Sequence, residues 1–208
     1  MGRYTGPKWK LSRREGMDLF SRGAHGARGK SPLAKRDYPP GVHAQSRRKI
    51  SEYGIRLREK QKLKRIYGVR EHQFKRYFKN AERLKGNMGE NLLNLLERRL
   101  DSAIVTSGFA LTIAQSRQLV AHGHFQVNGQ KVDIASYQVR PGDEIKPRDK
   151  ENTKQIVSQN IELNKGGFVP EWLGANADTM TVTVVSLPQR NDFPFPIQEQ
   201  LIVELCSK

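Results

Sequence analysis

The segment Gly26-Ala27-Arg28-Gly29-Lys30-Ser31 ends in the Gly-Lys-Ser of a phosphate-cradling loop, in which backbone amides and a lysine grip a nucleotide. Ala24 stands where the first glycine of that motif belongs, and no hydrophobic strand leads in to aim the amides, so nucleotide hydrolysis is not expected. His122 and His124 are two residues apart, which on a strand or turn points them to opposite faces. Neither cysteines nor clustered carboxylates stand near enough to complete a zinc site. His25 and His43 are too few to hold a metal alone. The single cysteine, Cys206, excludes an internal disulfide and a Cys-based zinc site, and with no base at suggestive spacing it reads as a packed thiol. No carboxylate pair announces acid–base work. The expectation is no catalytic residue, no metal and no cofactor.

The chemistry in supply is cationic. Arg47-Arg48-Lys49 is followed by Arg56, Arg58, Lys60, Lys62, Lys64 and Arg65, then by Arg70, Lys75, Arg76, Lys79, Arg83 and Lys85; Arg3, Lys8, Lys10, Arg13 and Arg14 precede them. Such side chains neutralise phosphates and release counterions, and roughly ten contacts would give a slope of log K against log salt of about −9 on duplex statistics. They position a nucleic acid without reading its bases. Zinc fingers, a helix-turn-helix and an RNP-type aromatic signature are all missing. A shaped RNA, held through phosphates and 2′-hydroxyls, fits better than a sequence-read duplex.

The placement of charge carries more than its total. The chain of 208 residues has 37 Lys and Arg against 21 Asp and Glu, a net +16. Residues 1–90 hold 25 basic and 8 acidic residues, and residues 91–208 hold 12 and 13, so the whole excess lies in front. A field of that density repels itself unless a polyanion lies against it. With 36% hydrophobic residues and a mean hydropathy of −0.71, the length suits one or two domains with a real core. No stretch approaches the roughly 18 apolar residues of a membrane span. The opening Met1-Gly2-Arg3-Tyr4 lacks the apolar region of an export signal, so a cytoplasmic setting is expected.

The elements that must carry these groups read as follows. Ser12-Arg13-Arg14-Glu15 has capping-box spacing and predicts a short helix over about 12–20. Residues 21–48 read as loop, rich in Gly and Pro, that orders on its partner. A helix from Ser51 to Gly68 carries Tyr53, Leu57, Leu63, Ile66 and Tyr67 as its apolar stripe. In the next helix Phe74, Tyr77, Phe78, Ala81 and Leu84 make a core-facing stripe before Gly86, with the basic residues between them. Leu92, Leu93, Leu96, Leu100 and Ile104 mark one helix ending near Gly108. Thr112-Ile113-Ala114-Gln115 offers a second capping box and a helix to Gly123.

The period then switches to two. Phe125 and Val127 precede Asn128-Gly129, a strong hairpin signal, and Lys131 and Val132 begin the return strand. Pro141-Gly142-Asp143 is a second turn and Glu144 to Arg148 a strand. Residues 153–164 predict a polar helix; Trp172 falls in a loop; Met180 to Val185 predicts a strand. Residues 196–207 fit a helix with proline at its start, and Leu201 to Leu205 also fits a strand; helix is the expectation.

Gly2-Arg3-Tyr4, Gly6-Pro7-Lys8, Leu11-Ser12-Arg13-Arg14-Glu15-Gly16, Leu57-Arg58-Glu59-Lys60-Gln61-Lys62 and Arg65-Ile66-Tyr67-Gly68-Val69 resemble the bacterial-type small-subunit ribosomal protein four (S-four) family. So do Leu84-Lys85-Gly86-Asn87, Gly89-Glu90-Asn91-Leu92-Leu93, Arg99-Leu100-Asp101, Arg117-Gln118-Leu119-Val120, Val127-Asn128-Gly129, Ile134-Ala135-Ser136-Tyr137-Gln138-Val139 and Leu201-Ile202-Val203-Glu204-Leu205. The resemblance covers nearly the whole chain. It implies a structural constituent of the small ribosomal subunit, a primary binder of 16S ribosomal RNA that nucleates assembly of the subunit body and contributes to translational accuracy.

The partners it implies are 16S ribosomal RNA, small-subunit protein five and other small-subunit proteins, and messenger RNA where it enters the subunit; no membrane is involved. Residues 99 to about 150 resemble the family's RNA-binding module, which makes Arg99, Ser116, Arg117, Gln118 and His122 RNA-binding candidates. Residues 20–50 lack cysteine, so the chain resembles the zinc-free form, and Ile113 stands where the family often has Arg.

The fold class expected is α+β: a mainly helical N-terminal domain with an inserted small α+β RNA-binding module of two helices plus a small antiparallel sheet. Three regions are expected. Residues 1–50 form a basic, irregular segment with one short helix. Residues 51–91 form a helical ribosomal-RNA-binding region joined by 196–208. Residues 92–195 form an α+β region containing the module. An RNA-modifying enzyme that borrows the module would need a separate catalytic domain, and the residues after the module are too few for one.

Overall fold

The computed structural model describes residues 4–20, 31–42, 49–164, 169–193 and 195–207. The phosphate-loop look-alike, apart from Ser31, and His25, His43, Arg3, Arg47 and Arg48 lie outside the described residues. The fold is α+β. It divides into two compact units, one holding the described residues up to Leu92 together with 195–207, the other those of 93–193.

In the first unit, α1 (Lys8–Glu15) and one helical turn, α2 (Pro32–Lys35), precede α3 (Glu52–Ile66), α4 (Glu71–Glu82) and the start of α5 (Met88–Glu97). The capping-box reading at Ser12 is corrected: the helix starts four residues earlier, and Ser12 is buried inside it, accepting at Oγ from the Leu19 amide at 3.4 Å. Gly16, at φ 66°, ends α1 in the left-handed conformation. The loop reading of 21–48 is likewise corrected by the turn α2.

Helix α3 starts where the Ser51 side chain accepts the Gly54 amide at 3.2 Å. It ends in a Schellman motif: Gly68 takes φ 59°, its amide donates to Arg65, and the Val69 amide donates to Lys64 at 2.9 Å. Tyr53, placed on the apolar stripe, is 64% exposed, because the buried side of α3 is Glu59, Leu63 and Ile66. Helix α4 buries Phe74, Tyr77, Phe78 and Ala81, whereas Leu84 lies past its end and is exposed. The chain end is helical: α9 (Glu199–Cys206) starts after Gln198 rather than at Pro196 and packs along α3 with Ile202 buried.

The second unit carries the end of α5, then α6 (Leu100–Thr106), α7 (Ile113–Ala121), α8 (Glu151–Leu163) and a five-stranded antiparallel sheet. Its strands are β1 (Phe125–Val127), β2 (Gln130–Lys131), β3 (Glu144–Pro147), β4 (Leu173–Asn176) and β5 (Thr181–Val184), in the order β2-β1-β3-β5-β4. The single helix expected from Leu92 to Gly108 is broken at Arg98 and Arg99. Tertiary pairing takes the backbone groups there: Leu100 donates to Tyr137 at 2.9 Å and Val139 donates to Arg98 at 2.8 Å, across a bridge between Arg99 and Gln138.

Thr112 caps α7 by accepting the Gln115 amide at 3.1 Å; the Gln115 side chain returns to the Leu111 amide, one residue before the cap. Asn128 and Gly129 take φ 50° and 78° and close the β1–β2 hairpin. Strand β4 escaped the sequence reading, since Gly174-Ala175-Asn176 has weak strand propensity. Its partner β5 imposes it, with Leu173 opposite Val184 and Asn176 opposite Thr181. Trp172, expected in a loop, is 1% exposed and part of the core with Phe109, Phe125 and Ile145.

Candidate nucleic-acid interface

The cations of α3 do not form an open surface. Glu15 of α1 is buried, and its Oε1 accepts from Arg58 Nη1 at 3.2 Å and from Arg65 Nη1. Its Oε2 is buried without a partner, and burial pushes the Glu15 pKa up against the attraction of Arg58 and Arg65. Glu71 receives Lys60 at 2.5 Å and Lys64 at 2.6 Å. Partial burial opposes its charge, and the hydrogen bonds from the two lysines outweigh that and hold its pKa below the usual carboxylate value.

Lys62 pairs with Glu59, whose Oε2 also accepts the Gln198 amide at 3.3 Å. Arg56 bridges Glu52 at 3.3 Å and Glu204 at 2.7 Å, strapping α9 to α3. All six basic residues read from α3 are therefore engaged by carboxylates.

Helix α4 is built the other way. Its heptad-like apolar face is buried, and helical spacing puts Lys75, Arg76, Lys79 and the C-cap Arg83 on the opposite side around His72, all exposed. Arg70 and Lys85 flank them, also exposed. Among the described residues none of these six cations has a carboxylate within ion-pair distance. Lys10 and Lys49 are exposed and unpaired in the same sense, and Lys8 lies over the Phe20 ring. Arg13 and Arg14 reach back to a neighbouring stretch: Arg13 Nε donates to the Tyr38 carbonyl at 3.1 Å, and Arg14 Nη2 to the Pro40 carbonyl at 2.8 Å.

In the second unit the candidates split. Arg99 is buried and forks onto Asp101, Nε to Oδ1 at 2.9 Å and Nη2 to Oδ2 at 2.7 Å. Ser116 is fully buried and donates from Oγ to the Asp101 carbonyl at 2.8 Å. Both are buried, and Ser116 locks α7 to the start of α6. Arg117 shares Asp101, its Nε and Nη2 donating to Oδ2 at 2.9 and 2.6 Å, and stays 21% exposed. Gln118 and His122 are exposed.

The opposite-faces reading of His122 and His124 is corrected. Their rings stack, centroids 6.3 Å apart, because the turn at Gly123 (φ 70°) breaks the alternation of a strand. His124 Nδ1 lies 2.8 Å from Thr153 Oγ1; burial first, then His122, Lys150 and Arg148, hold its pKa below 6.5. Arg148 and Lys150 thus join His122 in one positive corner. Sequence spacing gave no sign of this, since the β1–β3 pairing is what brings them together. Among the described residues, no group of three His, Cys, Asp or Glu side chains could hold a metal ion, and no helix is long and apolar enough to cross a membrane.

Residues 3–97 match the family model for the ribosomal protein S4/S9 N-terminal domain, and residues 98–145 match the S4 domain. Over 208 residues, the full length of both chains, the sequence is 53% identical to small ribosomal subunit protein uS4 of Thermoanaerobacter sp. (strain X514). It is 51% identical to that of Thermodesulfovibrio yellowstonii and 50% identical to that of Geobacter sp. (strain M21), again over the whole of each.

Proposed function

The chain belongs to the S4 family of small-subunit ribosomal proteins, and from that premise we propose that it binds 16S ribosomal RNA as a structural component of the small subunit. It nucleates assembly of the subunit body and contributes to translational accuracy together with its neighbours, small-subunit protein five among them, near the path of messenger RNA. It works in the cytoplasmic ribosome and holds RNA in shape without catalysing a reaction. The observation that carries the reading is the cationic stripe Lys75, Arg76, Lys79 and Arg83 on the exposed side of α4, without an ion-pair partner among the described residues and flanked by Arg70 and Lys85. Lys8, Lys10, Arg13, Arg14 and Lys49 extend the phosphate-binding surface, and Arg117, Gln118 and His122 supply the contact of the S4 domain, with Arg148 and Lys150 beside them. Arg99 and Ser116 support that contact from inside. The carboxylate-held residues of α3 are scaffold, apart from the outer nitrogens of Arg58 and Arg65.

Binding of folded 16S 5′-domain RNA at physiological salt, with bulk duplex DNA as competitor, tests the proposal. Retention of the RNA against a large excess of DNA is expected. Equal competition by DNA would reduce the protein to a general polyanion binder.

A further inference from the structure

A hollow of about 260 Å³ opens on the first unit between α1 and its neighbours. Pro7, Leu11 and Pro40 line it together with Tyr4 and the cations Lys10, Arg14 and Arg65. We infer that this hollow takes a single unstacked nucleotide of the ribosomal RNA, its base against Tyr4 and the prolines and its phosphate between Lys10, Arg14 and Arg65; the inference rests on the RNA-binding reading above. A hollow of about 260 Å³ is small beside drug-sized ligand pockets, which run from roughly 300 Å³ upward, and so suits one nucleotide of a bound strand. The composition also discriminates. Three cations, an exposed aromatic and three apolar side chains lining one hollow match a base with its phosphate, because stacking supplies the sequence-tolerant part of single-strand binding and the cations supply the rest.

Two observations show that the hollow is held ready. Tyr4 is 54% exposed, yet its ring is folded down onto Gly6: a Cβ built on Gly6 would stand 2.6 Å from the phenol oxygen and 2.8 Å from Cζ. Only glycine leaves room for that ring position. The opposite wall is fixed through Arg14, whose Nη2 donates to Pro40 at 2.8 Å, and through Arg65, pinned by buried Glu15. Arg14 keeps its remaining nitrogens for the guest.

The test is binding of the full chain to 16S 5′-domain RNA, with chemical probing of base reactivity in the complex. Tyr4→Ala should lower affinity about tenfold, leave the salt slope unchanged, and restore reactivity at one nucleotide that the unaltered protein shields. Tyr4→Phe should keep that shielding. Gly6→Ala, which fills the space under the ring, should behave like Tyr4→Ala, and Lys10→Ala should lower the salt slope by about one. Circular-dichroism melting of each variant should match the parent, since the altered groups are exposed or glycine. Tyr4→Ala and Gly6→Ala binding within twofold of the parent, with an unchanged reactivity pattern, would overturn the inference. If replacement of the α4 lysines still weakens binding in that case, the RNA reading stands and only the pocket falls; no RNA binding by the parent would remove both.

Discussion

Removing the charge at Asp101 should unfold the second unit far more readily than removing Arg117, the more solvated of the two arginines it holds. Asp101 is 1% exposed and accepts four hydrogen bonds, two from Arg99 and two from Arg117. Asp101→Asn takes away the carboxylate that both guanidiniums share, and Arg99 is itself buried. Breaking a buried pair by deleting one partner costs about 3–5 kcal/mol. Arg117→Gln leaves the fork from Arg99 in place, and Arg117 is partly solvated, so its loss should cost about 1 kcal/mol.

Trp172, buried in this unit's core, reports the transition by fluorescence once exposed Trp9 is replaced by Phe. With a urea dependence of about 1.5 kcal/mol per molar, Asp101→Asn should lower the midpoint by about 2 M or more and Arg117→Gln by less than about 1 M. Equal shifts, or a larger one for Arg117→Gln, would refute the assignment of Asp101 as the keystone. The same geometry rules out a charge reversal at Arg117 as the test of its contact with RNA. Arg117→Glu sets a carboxylate against Asp101, so a loss of RNA binding would be entangled with instability, and Arg117→Gln is the clean variant for the RNA test.

Three other outcomes are expected. Replacing Lys75, Lys79 and Arg83 together by alanine should reduce the salt slope of RNA binding by about 2.7 without moving the melting temperature, whereas Arg56→Ala, already held by Glu52 and Glu204, should leave the slope unaltered. His124 titrates below its ordinary 6.5 in the folded state, so the unfolded chain binds the extra proton first; the stability it contributes is full above pH 6.5 and is lost as pH falls through the folded value. Urea midpoints read from Trp172 should therefore drop between pH 7.5 and pH 5.5 in the parent by more than in His124→Asn, and parallel drops would sink that account. Gly68→Ala forces an L side chain into φ 59° and should cost the first unit about 1–2 kcal/mol, measured by thermal unfolding; no loss would mean that the Schellman turn relaxes.

What could be read from the residues was local, and what could not was imposed from elsewhere in the fold. Gly68, Thr112 and Asn128-Gly129 announce their turns because φ and capping are properties of a few neighbouring residues. The stripe of α4 was legible for the same reason up to Ala81, and failed at Leu84 because the helix stops at Glu82, two residues before the apolar spacing does. Strand β4 and the break at Arg98 and Arg99 have no local signal; pairing with β5 and with residues 137–139 creates them. At the candidate interface the kinds of residue were legible and their engagement was not. Arg58 and Arg83 look alike in a string of letters, but one reaches a buried carboxylate on a helix 43 residues away, while the other points into water.

That difference bears on how +16 becomes a binding surface. Of the 8 acidic residues in positions 1–90, Glu15, Glu52, Glu59 and Glu71 are all placed against the cations of α3. Had those carboxylates paired with the cations of α3 and α4 alike, each helix would present a mixed face and a weak field. Directing them onto the cations of α3, from α1 (Glu15), from α3 itself (Glu52 and Glu59) and from the first residue of α4 (Glu71), ties α1 and the start of α4 to that helix through ion pairs, and leaves Lys75, Arg76, Lys79 and Arg83 on one side of α4 with aromatic core on the other. The field is then sharpest on α4, where Glu82 is the one exposed acid among the cations from Arg70 to Lys85 and none of those cations is held by a carboxylate among the described residues. Moving one carboxylate tests this directly: Lys79→Glu should weaken RNA binding beyond the loss from Lys79→Ala, because it adds repulsion in the middle of the stripe. Gln61→Glu, made among the already paired residues of α3, should weaken it far less, and equal effects of the two would show that total charge rather than its placement governs binding.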